Sequence, residues 1–255
     1  MKPRLRELLT DLKAAARIGH PDALAAALDR VRATPDEALP PDDLLPLGRA
    51  LARLPVKSLR PLLHDPDPAV CGLAAVALAE RYLQGLDAIP GDLTPAARHP
   101  NPEIRRTLAR SLASSAHASP EKLRPLAEKW LAAAGKKAAR LQSTGLMLFP
   151  ACQPSPESIH TLLSPLQREE SRAVRAALVE CLSALAGRGD AESVLGLLHD
   201  WARQPDPNVW VITRALSASW AQEHAARAVA ILRRLAANAG PSRAVARAVG
   251  RLGDG

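Results

Sequence analysis

A sequence pattern that recurs about every 35 residues constrains this chain more than any other feature. Four copies are HDPDPAVCGLAAVAL (64–78), HPNPEIRRTLARSL (99–112), REESRAVRAALVECL (168–182) and RQPDPNVWVITRAL (203–216). Their anchoring residues are Val70, Ile104, Val174 and Val209, at intervals of 34, 70 and 35 residues. The doubled interval predicts a degenerate copy near residue 139, which 135–149 provides, and 241–252 is a final copy. A fixed period of this length indicates a repeat architecture.

The residues that open these copies predict helix starts. Asp67-Pro68, Asn101-Pro102 and Asp206-Pro207 each place a capping residue before a proline. A capping side chain accepts a hydrogen bond from an orphan N–H, and a proline at the first helical position has no N–H to satisfy. Ser171 is the predicted cap of another copy. Apolar residues then recur every three to four positions, which is typical of an amphipathic helix.

A second helix is predicted in each interval between copies. Ser119-Pro120 and Ser155-Pro156 repeat the cap-then-proline start 36 residues apart. Prolines recur inside these helices at Pro61, Pro125 and Pro165, where each is expected to kink the helix. Each repeat is therefore predicted to be a kinked first helix, a tight turn and a straight second helix.

The pattern D-P-x-V-R-x-x-A-A-x-A-L resembles that of HEAT repeats over residues 56–252, although Cys71 and Trp210 replace the usual Arg. The resemblance implies an all-α fold, an α-solenoid of about six HEAT-like helical hairpins in a single domain, 1–255. Residues 56–255 would hold the repeats. Residues 1–55, with helices predicted near 3–17, 20–32 and 42–54, would form an N-terminal helical cap. Looser relatives would be the HEAT-like phycobilisome lyases and DNA alkylation-repair proteins.

Composition agrees with many short, closely packed helices. Aromatic residues make up only 2% of the chain while apolar residues reach 47%, so the predicted core consists mainly of Ala, Leu and Val. The 23 prolines and 14 glycines suit frequent helix ends.

Several function classes are not expected. The cysteines, Cys71, Cys152 and Cys181, lack ligand spacing, so they are predicted to be reduced, buried thiols and not a zinc site or disulfide. No signal-peptide or membrane-spanning stretch is found, which favours a cytoplasmic protein without a membrane role. No catalytic, phosphate-loop or dinucleotide motif occurs, so we expect neither an enzyme nor a cofactor.

The HEAT resemblance implies that second helices line a concave binding surface. The residue after each anchor reads Cys71, Arg105, Arg140, Arg175 and Trp210 along the chain. In the family an Asp at the preceding turn pairs with this Arg. Only the first and last copies keep that Asp, so the three arginines are predicted to lack local partners and to face a ligand. A purely structural pairing is the alternative.

A basic band accompanies this ladder. The net charge is +8, and residues 98–140 hold ten basic residues, including Arg106, Lys136 and Lys137, against three acidic ones. Such a band can meet an acidic protein or phosphates, or it can be a solvated face enriched in Arg by composition alone. Both interpretations remain open. Of the tryptophans, Trp130, Trp201 and Trp220 are predicted to fill the core, and only Trp210 is expected in the groove.

The leading hypothesis is a non-catalytic scaffold or adaptor that binds a protein partner on its concave face. The alternative is nucleic-acid binding in a basic groove, similar to DNA alkylation-repair HEAT proteins. Glycosylase activity is not expected, because the second helices carry few acids. A chromophore-lyase function rests on the fold resemblance alone.

Overall fold

The computed structural model is all-α over the residues that it describes, which are 3–34, 39–114, 120–135, 138–240 and 242–253. It contains two compact units, the N-terminal unit of residues 1–126 and the C-terminal unit of residues 127–255. The boundary between them falls inside one helix. We describe each unit by itself, and the single domain predicted from the repeats stays a prediction.

Helices of the N-terminal unit alternate in their contacts. They are α1 (Pro3–Ile18), α2 (Pro21–Arg32), α3 (Pro41–Leu51), α4 (Val56–Leu59), α5 (Pro68–Leu83), α6 (Pro90–Ala97), α7 (Pro102–Ser114) and the first part of α8 (Pro120–Leu131). Helix α3 packs on α5, and α5 packs on α7, so helices two apart in the chain lie side by side. Helix α6 contacts both α5 and α7.

The C-terminal unit follows the same rule. Its helices after α8 are α9 (Ala138–Leu148), α10 (Pro156–Leu163), α11 (Arg172–Leu185), α12 (Ala191–Ala202), α13 (Val209–Ala215), α14 (Ala225–Ala239) and α15 (Arg243–Gly253). Helices α9, α11, α13 and α15 contact one another in series. Helices α10, α12 and α14 form a second series. Within each unit, the predicted second helices therefore pack on one another in chain order.

The helices predicted within residues 1–55 are confirmed as α1, α2 and α3. Helix α3 packs against α5 as closely as the repeat helices pack together. An added methyl group at Gly48 of α3 would lie 2.4 Å from the Cβ of Val76 in α5, so only glycine permits this approach. The segment Val70–Ala79 of α5 is buried throughout, which matches the predicted core of small aliphatic side chains.

The predicted capping residues behave differently from one another. Asp67 accepts from the Ala69 N–H at 2.7 Å, and Asn101 accepts from the Glu103 N–H at 2.9 Å. Ser155 accepts from the Ser158 N–H at 3.2 Å, so these three predictions are confirmed. Residues 115–119, which include Ser119, lie outside the described residues.

Two capping predictions are wrong. Helix α13 begins at Val209, and its cap is Asn208, whose side chain accepts from the Val211 N–H at 3.1 Å. Asp206 therefore lies before the helix and does not cap it. Ser171 precedes α11, but its side chain makes no capping hydrogen bond. The residue type was suitable at both sites, and the backbone path into the helix decided the outcome.

The prolines expected to kink the first helices act in two ways. At Pro61 and Pro165 the α-helix has already ended, and the chain continues as a short 3₁₀ helix, over Pro61–His64 and Ser164–Arg168. At Pro125, however, α8 continues without interruption to Leu131. A proline cannot donate to the helix hydrogen-bond ladder, and a change to 3₁₀ geometry is one way to accommodate it.

Candidate binding groove

Arg105, the first arginine of the predicted ladder, forms hydrogen bonds within its own repeat. Only 5% of the residue is exposed, and its Nη1 donates to the carbonyl oxygens of His99 at 2.6 Å and Pro100 at 3.1 Å. The expectation that Arg105 lacks a local partner is therefore wrong. Backbone carbonyls of the turn accept the hydrogen bonds that the family's Asp side chain would accept.

Cys71 shows that this contact belongs to the repeat position. Its thiol donates to the Asp65 carbonyl, six residues earlier, with a sulfur–oxygen distance of 3.1 Å. Arg105 likewise donates to a carbonyl six residues earlier. In these two repeats the residue after the anchor closes the turn between the helices, so its side chain stabilises the hairpin.

Of the other predicted site residues before α11, Arg106 and Arg140 lie on the surface. Arg106 is exposed and its Nη1 lies 2.5 Å from Oε1 of Glu103, one turn earlier on α7. Arg140 is exposed in the first turn of α9. Lys136 and Lys137 lie outside the described residues. The binding roles of these residues stay predictions.

Arg175 and Trp210, which occupy equivalent positions in adjacent sequence copies, lie next to each other. The guanidinium carbon of Arg175 on α11 lies 5.7 Å from the centroid of the Trp210 ring on α13. Within about 6 Å, a guanidinium over an indole face forms an attractive cation–π contact. Trp210 is nevertheless 45% exposed, whereas Trp130, Trp201 and Trp220 are buried as predicted, at 1%, 1% and 8%.

Trp210 forms one wall of a groove between α13 and α15. The groove has a volume of about 190 Å³ and is lined by Trp210, Thr213, Arg214, Ser217, Ala244, Arg247, Ala248 and Arg251. Within each helix the lining residues follow spacings of three and four, so they share one helix face, and Ser217 lies in the turn that follows α13. The repeat period aligned Trp210 with the arginine ladder, but it gave no reason to choose Arg214, Arg247 or Arg251.

The polar groups of the groove have distinct hydrogen-bonding capacities. The Thr213 hydroxyl donates to the Val209 carbonyl at 2.7 Å, and the Ser217 hydroxyl donates to the Thr213 carbonyl at 2.7 Å. Both hydroxyl protons are thus donated to carbonyls of α13, so towards a ligand these oxygens can act only as acceptors. The arginine side chains are therefore the principal hydrogen-bond donors available to a ligand.

The groove is also strongly positive. Neither α13 nor α15 contains an acidic residue, and the lining includes Arg214, Arg247 and Arg251. Elsewhere in the C-terminal unit some arginines do have an acidic partner, as in the pair between Arg188 and Asp190 at 2.7 Å. A cleft lined with charges of one sign concentrates ligands of the opposite sign.

A second cavity, in the N-terminal unit, is mainly apolar. It has a volume of about 400 Å³ near the start of α3, α5 and α7, and it is lined by Leu39, Pro40, Leu44, Pro68, Ala69, Asn101, Glu103, Ile104 and Thr107. Apart from Glu103, its lining carries no charge, and no sequence pattern had indicated it.

The described residues contain no group of three His, Cys, Asp or Glu side chains placed to hold a metal ion. Nor does any of their helices combine the length and apolarity needed to cross a membrane. The three cysteines are buried, and burial raises the pKa of Cys71 and of Cys181, so the thiols of these two residues are held in the protonated form.

The sequence matches no family model and no curated protein. The proposals below therefore rest on the residues of this chain alone.

Proposed function

We propose that this chain is a non-catalytic HEAT-like repeat protein that binds a protein partner through the groove beside Trp210. The observation that carries the proposal is the 45% exposure of Trp210, with Arg175 stacked on its ring. Tryptophan and arginine are the residue types that most often supply binding energy at protein interfaces. The helices hold both side chains in place, which limits the entropy lost on binding.

The repeat period and the helix contacts support the α-solenoid part of the proposal. Copies recur at intervals near 35 residues, and within each unit helices two apart in the chain pack together. Stacked hairpins of this kind present one series of helices as a continuous face, and solenoid proteins bind partners along such faces. Helices α11, α13 and α15, which carry the groove and Arg175, belong to one series.

The size of the groove favours a side chain of a macromolecule over a free small molecule. Its volume is about 190 Å³, whereas pockets for small molecules usually hold about 300 to 1,000 Å³. Its charged side chains are all arginines, and a guanidinium is a poor general base. Both properties support binding without catalysis.

We further propose that the protein works in the cytoplasm. Three buried thiols without a disulfide are typical of proteins from reducing compartments.

Nucleic-acid binding is the second candidate function. The observation that favours it is the same groove, since an aromatic ring among arginines can stack a base and contact phosphates. Affinity for mixed-sequence duplex and single-stranded DNA should then fall steeply between about 50 and 200 mM salt. Weak binding that does not depend on salt would remove this candidate.

The leading proposal is tested with matched baits. Wild-type protein, Trp210→Ala and Leu86→Ala are immobilised and exposed to nuclease-treated lysate of the source organism. Leu86 is a suitable control because it is a 48% exposed apolar residue outside the groove. We expect one or more proteins to be retained by wild type and Leu86→Ala but lost from Trp210→Ala. Identical retention by all three baits would contradict the proposal.

A further inference from the structure

We infer that the groove between α13 and α15 binds an acidic segment of the partner, with one apolar side chain of that segment inserted beside Trp210. This inference rests on the proposed protein-binding function and adds the chemistry of the ligand. The ligand would carry carboxylates on both sides of an apolar side chain, which matches the lining of the groove.

The interior of the groove selects an apolar side chain. Trp210 and Ala244 supply apolar surface to the groove, and Ala248, which also lines it, is buried at 1% exposed. The hydroxyl protons of Thr213 and Ser217 are already donated to carbonyls of α13. An anionic group placed between these hydroxyls would receive no hydrogen bond from them, whereas an apolar group replaces water at little cost.

The arginines of the groove select negative charge next to that anchor. Arg214, Arg247 and Arg251 are all exposed, and Arg247 and Arg251 stand four residues apart on one face of α15. Like charges at this spacing repel each other. Carboxylates of a ligand would relieve the repulsion, and each guanidinium can bind a carboxylate through two parallel hydrogen bonds.

Outside the groove, the protein itself supplies a carboxylate partner for an arginine. On the other helix series, Arg227 of α14 pairs with Glu192 of α12, so that arginine is neutralised within the protein. Helices α13 and α15 provide no carboxylate for Arg214, Arg247 and Arg251. A partner segment with acidic residues on both sides of its anchor would supply the missing charges. The same reasoning favours a peptide over a nucleic acid, because protein sites for phosphates commonly use serine and threonine hydroxyl donors, which here are occupied.

The test uses three synthetic nine-residue peptides labelled with a fluorophore and titrated with the full-length protein. The first has a central Phe with four Glu on each side. The second has a central Ser in the same acidic context, and the third keeps the Phe but has Gln in place of every Glu. Fluorescence anisotropy gives each Kd at about 50 and 150 mM salt, a range over which screening weakens interactions between exposed charges.

We expect the first peptide to bind at least about tenfold more tightly than either of the others, and to lose affinity with salt. The variants Trp210→Ala and Arg247→Glu/Arg251→Glu should each weaken its binding by about tenfold or more. The matched control is Arg233→Glu/Arg234→Glu, which makes the same charge change at exposed positions of α14 outside the groove. That variant should change the Kd by less than about threefold.

Three outcomes would overturn the inference. In the first, the Phe and Ser peptides bind equally well. In the second, the two charge-reversal pairs change the Kd equally. In the third, a labelled single-stranded oligonucleotide binds more tightly than the Phe peptide, and its binding depends on Trp210. Circular dichroism melts of each variant confirm that it is folded. The bait experiment decides the proposed function separately. If a partner is retained in a Trp210-dependent manner but the Phe peptide does not bind, the proposed function stands. The inference that the partner segment is acidic with an apolar anchor is then overturned.

Discussion

Arg175 lies over the ring of Trp210, with its guanidinium carbon 5.7 Å from the ring centroid, and the two residues are one repeat apart in the sequence. Because α11 and α13 pack side by side, equivalent positions of adjacent repeats become neighbours on one face. A partner that contacts this pair would meet a ring and a cation already held together.

The Arg175–Trp210 contact should be measurable as a coupling energy. Replacing either residue by Ala removes the cation–π attraction, so the double variant should lose less stability than the sum of the two single variants. We expect a coupling of about 0.5–1 kcal/mol, the usual range for such contacts at exposed sites. A double-mutant cycle from urea denaturation gives this number, and a coupling indistinguishable from zero would show that the contact is not made in solution.

Arg105 should contribute to the stability of the folded protein and not to ligand binding. Arg105→Ala removes a largely buried guanidinium and leaves the carbonyls of His99 and Pro100 without that donor. The expected loss is about 1–3 kcal/mol in the free energy of unfolding. Its neighbour Arg106 provides the matched control, since an exposed residue of this kind should change stability by less than about 0.5 kcal/mol. Equal effects of the two substitutions would refute the role assigned to Arg105.

Gly48 should be intolerant of any side chain. In Gly48→Ala the new methyl group would approach the Cβ of Val76 to 2.4 Å, so α3 and α5 would have to move apart. Overpacking of this kind costs about 1–3 kcal/mol or more. Gly91→Ala is the control because its Cβ would meet only the Ile89 side chain, at 3.8 Å. Thermal melts of both variants check this, and similar melting temperatures would contradict the close approach of the helices.

Acid should weaken the N-terminal unit through Asp65. Burial alone would raise the pKa of Asp65, but hydrogen bonds from the Arg32 side chain and the Asp67 N–H outweigh it and lower that pKa. A depressed folded-state pKa gives stability that is fully present above the unfolded value of about 3.9 and is lost as pH falls through the folded value. Asp65→Asn should therefore reduce stability at pH 7 and have a smaller effect at pH 3.

Urea denaturation at several pH values between 3 and 7 measures this dependence. Asp206→Asn serves as the control, since Asp206 is an exposed carboxylate before α13. A pH dependence that is the same in Asp65→Asn and in wild type would exclude the Arg32–Asp65 pair as its source.

The three cysteines should be unreactive in the folded protein. All are buried, and burial raises the pKa of Cys71 and Cys181, so little thiolate is present at neutral pH. We expect a thiol-specific chromogenic reagent to label none of them quickly under native conditions and all three in denaturant. Rapid native labelling of any one thiol would contradict the burial of that cysteine.

The sequence by itself determined the helices and which tryptophan is exposed. Capping by Asp67, Asn101 and Ser155 depends on a few consecutive residues, and apolar periodicity is likewise local, so both could be recognised without knowing the fold. The repeat register placed Trp210 at the same position as Arg175, and this register suggested that Trp210 is exposed while Trp130, Trp201 and Trp220 are buried. Among prolines, local information was insufficient, because Pro61, Pro165 and Pro125 share a motif but not a backbone response.

Only the tertiary structure decided how the side chains of the candidate site are used. Arg105 satisfies carbonyls of its own turn, an outcome that depends on the path of the backbone and not on the residue types around it. Arg247 and Arg251 became groove residues because α15 packs against α13, and the gap between two helices is set by all the side chains that separate them. The local pattern specifies which face a residue occupies, whereas distances between helices specify what that face can bind.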